Sequence, residues 1–139
     1  MDRPTVSEAD IGWLAGLIDS ESTVSLTTNS NGSPVLRISI YNSSDLILDK
    51  AARVLHGLEV KWSERADRRA PRTGYVLQIS TAGCLSMYEQ VRPHMVRHAN
   101  RYDAAYWFIA PRLGTRKKVM WTDDERRTWA NLREVLNAR

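Results

Sequence analysis

The hydrophobic positions near the start of the chain follow the period of an amphipathic helix. Apolar residues recur three and four positions apart, at Ile11, Leu14, Leu17 and Ile18. This spacing predicts a helix over about residues 8–19 that turns one apolar face toward a core. We therefore expect these four side chains to fill the interior of the domain.

Two segments of alternating character follow this helix. Apolar and polar residues alternate over about residues 23–28 and again over about 35–42, which is the pattern of strands with one buried face. Asn31-Gly32 lies between them and favours a hairpin turn, because both residue types tolerate a positive φ. The two segments therefore predict an antiparallel hairpin.

The rest of the chain repeats this pattern and then becomes helical. Ser43 and Ser44 can cap a helix that runs to about His56 and that Gly57 would end. Leu58, Val60 and Trp62 alternate in a predicted third strand, and a fourth is predicted over about residues 75–80. Further helices are predicted to begin near Thr81, Ala99 and Thr122. The predicted class is α+β, with a four-stranded antiparallel sheet covered on one side by helices.

Composition indicates the class of protein and the compartment in which we expect it. Hydrophobic residues make up 42% of the 139 residues and charged residues 26%, as in ordinary globular proteins. No apolar run approaches the roughly 20 residues that a membrane helix needs, and no secretory leader is seen. Cys84 is the single cysteine, so neither an intrachain disulfide nor a zinc cluster is expected. We expect an intracellular protein of the cytoplasm or nucleoid with no membrane partner; an organelle stays open, although no targeting segment is seen.

Positive charge is concentrated in the middle of the sequence. Residues 61–118 carry 12 basic and 4 acidic side chains, whereas residues 1–60 carry 4 basic and 8 acidic ones. A basic segment suits a surface that binds phosphates. A solvated basic face explains the same counts, so charge leaves both interpretations open.

One segment of the first predicted helix carries a motif that bears on the choice between a phosphate-binding surface and a solvated basic face. Leu14-Ala15-Gly16-Leu17-Ile18-Asp19-Ser20-Glu21-Ser22 resembles the LAGLIDADG signature of homing endonucleases: its first six residues match, and Glu21 keeps a carboxylate where the signature has its second Asp. The resemblance implies an αββαββα fold with a saddle-shaped sheet over a core of about residues 7–110. A helical extension over about 111–139 would complete a single domain over 1–139.

Small residues form a ridge on the same helix. Gly12, Gly16 and Ser20 are four positions apart, so they line one side, where a second helix backbone can approach closely. Because the chain carries one copy of the motif, we expect a two-fold symmetric homodimer. The alternative is that the glycines serve packing within the chain. The predicted interface residues are Gly12, Trp13, Gly16, Asp19 and Ser20.

The dimer would bring two copies of Glu21 together at helix C-termini, where carboxylates are disfavoured and repel each other. A divalent cation relieves both effects, and oxygen ligands favour Mg²⁺, or Mn²⁺, with no small-molecule cofactor. The resemblance implies that the Ser20 backbone carbonyl is a second metal ligand and that Asp19 is structural.

Two further residues are assigned to the active site by the resemblance. Asn42 corresponds to a polar residue at the end of the second strand; the alternative is that it ends the strand or caps the next helix. His98 corresponds to a position that is usually Lys, and a His there would accept protons or position water in a more pH-dependent way. The alternative for His98 is an ordinary residue at a helix start.

The polar face of the sheet is the predicted surface for double-stranded DNA, since an antiparallel ribbon fits the major groove. The predicted base-contacting residues are Thr23, Ser25, Thr27, Arg37, Ser39, Tyr41, Arg65 and Gln78. The predicted phosphate contacts are Arg68, Arg69, Arg72, Arg116, Lys117 and Lys118.

Three functions are weighed against one another. The first is a site-specific homing endonuclease that makes metal-dependent double-strand breaks in a long, near-palindromic site. The second is a non-cleaving nucleic-acid binder on the same fold, either an RNA maturase or a DNA-binding regulator; retention of Glu21 argues against it. The third is a small dimeric protein-interaction module, which would not need a polar, basic sheet face.

Overall fold

The chain folds as a four-stranded sheet with helices packed against it. The computed structural model describes residues 6–67, 74–113 and 120–137, and it leaves the side chains of residues 65–67 and 74 undescribed. The predicted α+β class and the order of helices and strands are confirmed. In chain order the elements are helix α1 (Glu8–Glu21), strands β1 (Ser22–Thr28) and β2 (Pro34–Asn42), helix α2 (Asp45–Gly57), strands β3 (Ser63–Asp67) and β4 (Gly74–Ile79), helix α3 (Thr81–Val91), a 3-10 turn (Arg92–His94), and helices α4 (Ala99–Leu113) and α5 (Asp123–Asn137).

The sheet has the strand order β1-β2-β4-β3, and each neighbouring pair is antiparallel. Its inner face carries Val24 on β1, Ile38 on β2 and Ile79 on β4, which lie side by side in the register and are buried. Helices α1, α2 and α3 pack against β2 and β4 and supply the rest of the core. This arrangement leaves the opposite face of the sheet without a helical cover from these elements.

Helix α1 begins and packs as its sequence predicts, with one difference. The Ser7 hydroxyl accepts a hydrogen bond from the backbone N–H of Asp10 at 3.0 Å and caps the first turn. Leu14 and Ile18 are fully buried, and each such side chain contributes about 1.5–3 kcal/mol by leaving water. Leu17, however, is only partly buried and packs against the margin of the core.

The hairpin between β1 and β2 contains a five-residue loop rather than a two-residue one. Thr28 pairs with Pro34, and the backbone N–H of Asn29 donates to the carbonyl of Ser33 at 3.0 Å. Gly32 has a φ of 83°, a conformation that glycine adopts without steric cost. The turn signal at Asn31-Gly32 therefore located the hairpin correctly, although the loop is longer than that signal implies.

The third strand lies further along the chain than predicted. It begins at Ser63, so the prediction of a strand over Leu58–Trp62 is wrong. Leu58 is the C-cap of α2, Glu59 has a φ of 64°, and Val60 is buried in the core. The apolar alternation reflects how this connection packs rather than strand pairing. Gly57, predicted to end the preceding helix, is instead its last residue.

Helix α5 covers the outer edge of β1. The indole Nε1–H of Trp129 donates to the backbone carbonyl of Thr27 at 2.8 Å, and Nε of Arg133 donates to the carbonyl of Leu26 at 2.8 Å. An edge strand otherwise presents unpaired backbone groups, and these two bonds hold α5 beside that edge. Among the described residues, no helix combines the length and the apolar character of a membrane span.

Candidate active site and nucleic-acid interface

The acid at the end of α1 stands where the helix passes directly into β1. Glu21 is the last residue of the helix and Ser22 is the first of the strand. Glu21 is half-buried, and within the described ranges no side chain forms an ion pair or a hydrogen bond with its carboxylate. Its oxygens are therefore available to a ligand.

The neighbouring backbone offers a second kind of oxygen. The Ser20 hydroxyl donates to the carbonyl of Gly16 at 2.8 Å, so the side chain is used within the helix. The backbone carbonyl of Ser20 belongs to the last turn of α1, whose carbonyls have no partner within the helix. Together with Glu21 it gives an all-oxygen donor set, which fits a hard divalent cation.

The small-residue ridge of α1 is open. Among the described residues, a Cβ placed on Gly12 or on Gly16 would meet nothing within 4 Å, whereas one on Gly83 would come within 2.7 Å of the Ile79 side chain. The alternative that the ridge serves packing within the chain is therefore wrong. Trp13 flanks the ridge, half-buried, with Nζ of Lys50 4.5 Å from its ring centre.

Asp19 points away from this ridge and binds the segment before α4. Its carboxylate accepts hydrogen bonds from the backbone N–H groups of Val96 at 2.5 Å and His98 at 3.1 Å. Partial burial acts to raise the pKa of Asp19, but the backbone N–H groups of residues 96–98 together hold that pKa below its ordinary value. The contact ties the end of α1 to the start of α4, and the assignment of Asp19 to a dimer interface stays a prediction.

His98 lies at the same end of α1, just before the first residue of α4. Burial lowers the pKa of the imidazole below its ordinary value, the charge of Arg97 lowers it further, and Asp19 acts in the opposite direction. A hydrogen bond with the backbone of Ser22 places one side of the ring beside the α1–β1 junction. The Nε2 atom is buried and has no hydrogen-bond partner in the described part of the chain. His98 is therefore a half-buried imidazole with a lowered pKa beside the α1–β1 junction.

Asn42 ends β2 and also shapes the turn into α2. Its side-chain oxygen accepts a hydrogen bond from the backbone N–H of Ser44 at 2.8 Å, and Ser44 in turn caps α2. Since Ser22 pairs with Ile40, Asn42 lies on the same end of the sheet as the α1–β1 junction. The alternative that Asn42 ends the strand is thus borne out, whereas Ser44 and not Asn42 caps α2; the assignment of Asn42 to the active site stays a prediction.

The outer face of the sheet carries a row of polar residues across its strands. Thr23 on β1, Ser39 on β2, Gln78 on β4 and Ser63 on β3 are successive partners in the register. Ser39 is only 3% exposed, because the amide of Gln78 covers it and donates to its hydroxyl at 3.4 Å. Gln78 rather than Ser39 therefore presents the contact surface at this point.

Other predicted base-contacting residues share this face. Ser25 lies opposite Arg37, Thr27 is exposed, and Tyr41 is half-buried opposite Val76. The backbone of Arg65, on β3, pairs with Val76 of β4, so this residue belongs to the sheet. The predicted phosphate contacts Arg68, Arg69, Arg72, Arg116, Lys117 and Lys118 lie outside the described residues.

Sequence reasoning missed two basic residues near this face. Arg101 on α4 and Arg133 on α5 line a groove beside β1 together with Arg97. They escape detection because their helices are far from β1 in the sequence and carry acids as well. No group of three acidic, His or Cys side chains gathers among the described residues of one chain.

Comparisons with known proteins identify this arrangement. The chain resembles the archaeal intron-encoded homing endonuclease I-Vdi141I, solved in complex with DNA, with 14% identity over 94% of this chain and 84% of that one and a TM-score of 0.68. It also resembles the homing endonuclease I-CvuI in complex with its target, with 11% identity over 90% of this chain and 95% of that one and a TM-score of 0.61. At such identities the likeness shows the fold alone.

A search of curated proteins gives no match. The model of the LAGLIDADG-like domain matches residues 8–91, which include α1 with its motif, the whole sheet and α3. This match spans more than half of the sequence and agrees with the fold of the solved structures. The chain therefore belongs to the LAGLIDADG-like domain family.

Proposed function

We propose that this protein is a homodimeric homing endonuclease that makes metal-dependent double-strand breaks in a long, near-palindromic DNA site. The observation that carries the proposal is the open ridge of α1, where a Cβ at Gly12 or Gly16 would meet no atom within 4 Å. A second copy of α1 fits such a ridge, and it would bring a second Glu21 to the same axis. The solved relatives I-Vdi141I and I-CvuI were both captured on DNA, which supports DNA as the partner.

The donor set at the end of α1 suits Mg²⁺ or Mn²⁺. Glu21 would hold the cation through its carboxylate and Ser20 through its backbone carbonyl, with matching ligands from the second chain. When bound, a divalent cation lowers the pKa of water and stabilises negative charge on the phosphate. Ligands shared between two chains also agree with the lack of a three-residue cluster among the described residues of one chain.

The remaining groups would act on the proton and the phosphate. His98 is neutral near pH 7 because its pKa is lowered, so it would accept a proton from the attacking water. The Asn42 amide would donate a hydrogen bond to a phosphate oxygen while its side-chain oxygen stays in the turn to Ser44. The outer face of the sheet would read the bases through the major groove.

The decisive experiment selects cleaved sites from a randomised DNA library in Mg²⁺, using the wild type and Glu21→Gln in parallel. We expect the wild type to enrich one near-palindromic site, and Glu21→Gln to bind that site without cutting it. A matched control is Glu64→Gln, an exposed acid on β3, which should cut like the wild type.

Two outcomes would count against the proposal. Equal cutting by Glu21→Gln would remove Glu21 from the reaction. Binding without cutting by the wild type would instead support the alternative of a non-cleaving regulator or RNA maturase on this fold.

A further inference from the structure

A basic groove of about 580 Å³ runs beside β1, where this strand meets helices α4 and α5. Arg97, His98 and Arg101 line it from the side of α4, and Arg133 lines it from α5. Its floor includes the outer-face residues Thr23, Ser25 and Thr27, and none of its described lining residues is acidic. We call this feature, defined by the three arginines and His98, the basic groove.

Two of the arginines are held in place by neutral acceptors. Arg101 donates through Nη1 to the side-chain oxygen of Asn137 at 2.6 Å and through Nη2 to the carbonyl of Leu136 at 2.8 Å. Nε of Arg133 donates to the carbonyl of Leu26 at 2.8 Å. A guanidinium has five N–H donors, so these bonds order both side chains and leave further donors. Within the described part of the chain, no carboxylate pairs with either of these two positive charges.

Several arginines close to these helices are paired with acids instead. Arg92 forms an ion pair with Asp103 at 2.6 Å, and Arg112 forms one with Glu125 at 3.1 Å. On α5 itself, Arg127 pairs with Asp124 in the preceding turn. The uncompensated charge is therefore a property of the groove and not of helices α4 and α5 in general, and its natural complement is an anion.

The groove is continuous with the proposed active site. His98 belongs to both: its ring lines the groove, and its backbone N–H is held by Asp19 at the end of α1. Thr23 likewise lies in the groove and only two residues after Glu21. A polyanion that passes Glu21 along this side of the sheet would enter the groove next.

We propose that the basic groove binds the DNA backbone phosphates next to the scissile one, with Arg97, Arg101 and Arg133 as positioning residues. This inference rests on the proposed function, and it extends the DNA surface from the sheet to the C-terminal helices. Arginine forks bind phosphate oxygens in pairs, and such contacts fix the register of the duplex without reading its sequence.

The test measures binding to a random-sequence DNA duplex as a function of salt concentration in the absence of divalent metal. Loss of one phosphate contact should weaken binding and reduce the slope of log K against log salt by about 1. We expect this reduction for Arg97→Gln and for Arg133→Gln. Arg127→Gln should leave the slope unchanged, since its charge is already paired on the same helix.

Controls separate charge from folding. Arg97 is exposed, so Arg97→Gln should keep the fold, and Arg133→Lys should keep the slope while losing the geometry of the Leu26 contact. If the wild type binds the duplex and both Arg97→Gln and Arg133→Gln keep the wild-type slope, the proposal for the basic groove is wrong and the proposed function is unaffected. Failure of the wild type to bind duplex DNA at low salt would overturn the proposed function itself.

Discussion

The carboxylate of Asp19 accepts a hydrogen bond from the backbone N–H of His98 at 3.1 Å, so the last turn of α1 fixes the segment that leads into α4. Glu21 lies two residues after Asp19, and the imidazole of His98 belongs to the segment that Asp19 holds. One carboxylate thus sets the distance between the proposed metal ligand and the proposed base. Because it binds backbone groups, Asp19 is a positioning residue.

The first prediction concerns how much the hydrogen bonds of Asp19 to the segment before α4 stabilise the fold. Asp19→Asn keeps the size of the side chain but turns one acceptor oxygen into a donor that faces a backbone N–H. We expect the free energy of unfolding to fall by about 1–2 kcal/mol at pH 7, as for a hydrogen bond to a charged group at a half-exposed site. Urea unfolding at one fixed protein concentration measures it. Asp49→Asn, an exposed acid on α2, should change little.

The pH dependence of that difference follows from the lowered pKa of Asp19. A depressed carboxyl pKa contributes stability that is present above the unfolded value, near 3.8, and is lost as the pH falls through the lower folded value. The gap between the wild type and Asp19→Asn should therefore close below pH 3.8. A gap that persisted there would mean that the charge of Asp19 has no part in the tie.

A second prediction concerns the titration of His98. Its pKa lies below the ordinary 6.5 because of burial and of Arg97, and Asp19 opposes this shift. Asp19→Asn should lower the pKa of His98 further, which NMR titration of the imidazole resonances can measure. His98→Gln identifies the His98 signal among the three histidines. A His98 that titrates above 6.5 in the wild type would contradict the burial argument.

A third prediction is kinetic. The pKa of His98 is lower in the folded chain than in the unfolded chain. Lowering the pH between these two pKa values therefore protonates the unfolded chain first and destabilises the fold. At lower pH the protonated ring no longer accepts a proton from water. Cleavage should therefore fall as the pH drops below 6.5, through the folded pKa. His98→Gln should slow cleavage by about 10²-fold and remove this acid limb, since general-base catalysis contributes that much. His56→Gln, exposed on α2, is the matched control.

The sequence predicted most of the fold because its signals are local. The apolar spacing of α1, the alternation in β1 and β2, and the cap at Ser44 each depend on residues a few positions apart. The third strand was misplaced for the same reason. Leu58–Trp62 has strand-like alternation but no partner strand, whereas Ser63–Asp67 lacks apolar alternation and pairs with β4.

The features that sequence reasoning missed depend on contacts between distant residues. Trp129 bonds to Thr27, 102 positions away, and nothing near Trp129 in the sequence marks it as the cover of a strand edge. The burial of Ser39 likewise depends on Gln78, 39 positions away. The spacing of Gly12 and Gly16 could not tell an open ridge from an internal contact, because both use small residues at the same interval.

A fourth prediction tests the ridge. Gly16→Leu places a side chain where one chain alone offers open space, so we expect the fold to be retained. A glycine in a helix costs about 0.5–1 kcal/mol relative to alanine, which makes a more stable isolated chain the expected result. Two copies of α1 could then no longer approach closely, so dimerisation should weaken by tenfold or more, which corresponds to about 1.4 kcal/mol.

Sedimentation over a range of concentrations measures this change. Ala130→Leu, at an exposed small residue of α5, should leave the dimer unchanged. Gly83→Ala offers the opposite contrast: its Cβ would come within 2.7 Å of Ile79, so it should destabilise the fold and spare the ridge. A dimer that tolerates Gly16→Leu would show that another surface joins the two chains.

A fifth prediction concerns the edge of β1. Trp129→Phe removes the N–H that donates to the Thr27 carbonyl and also reduces a side chain that is fully buried. Loss of the hydrogen bond costs about 0.5–1.5 kcal/mol and the smaller buried ring adds to this, so we expect urea unfolding to show a loss of about 1–3 kcal/mol. The freed edge should also favour association, visible as increased light scattering. Trp107→Phe, at a residue 63% exposed, should change stability by less than about 0.5 kcal/mol. Equal losses for the two variants would mean that the bond from Trp129 to Thr27 makes no specific contribution to stability.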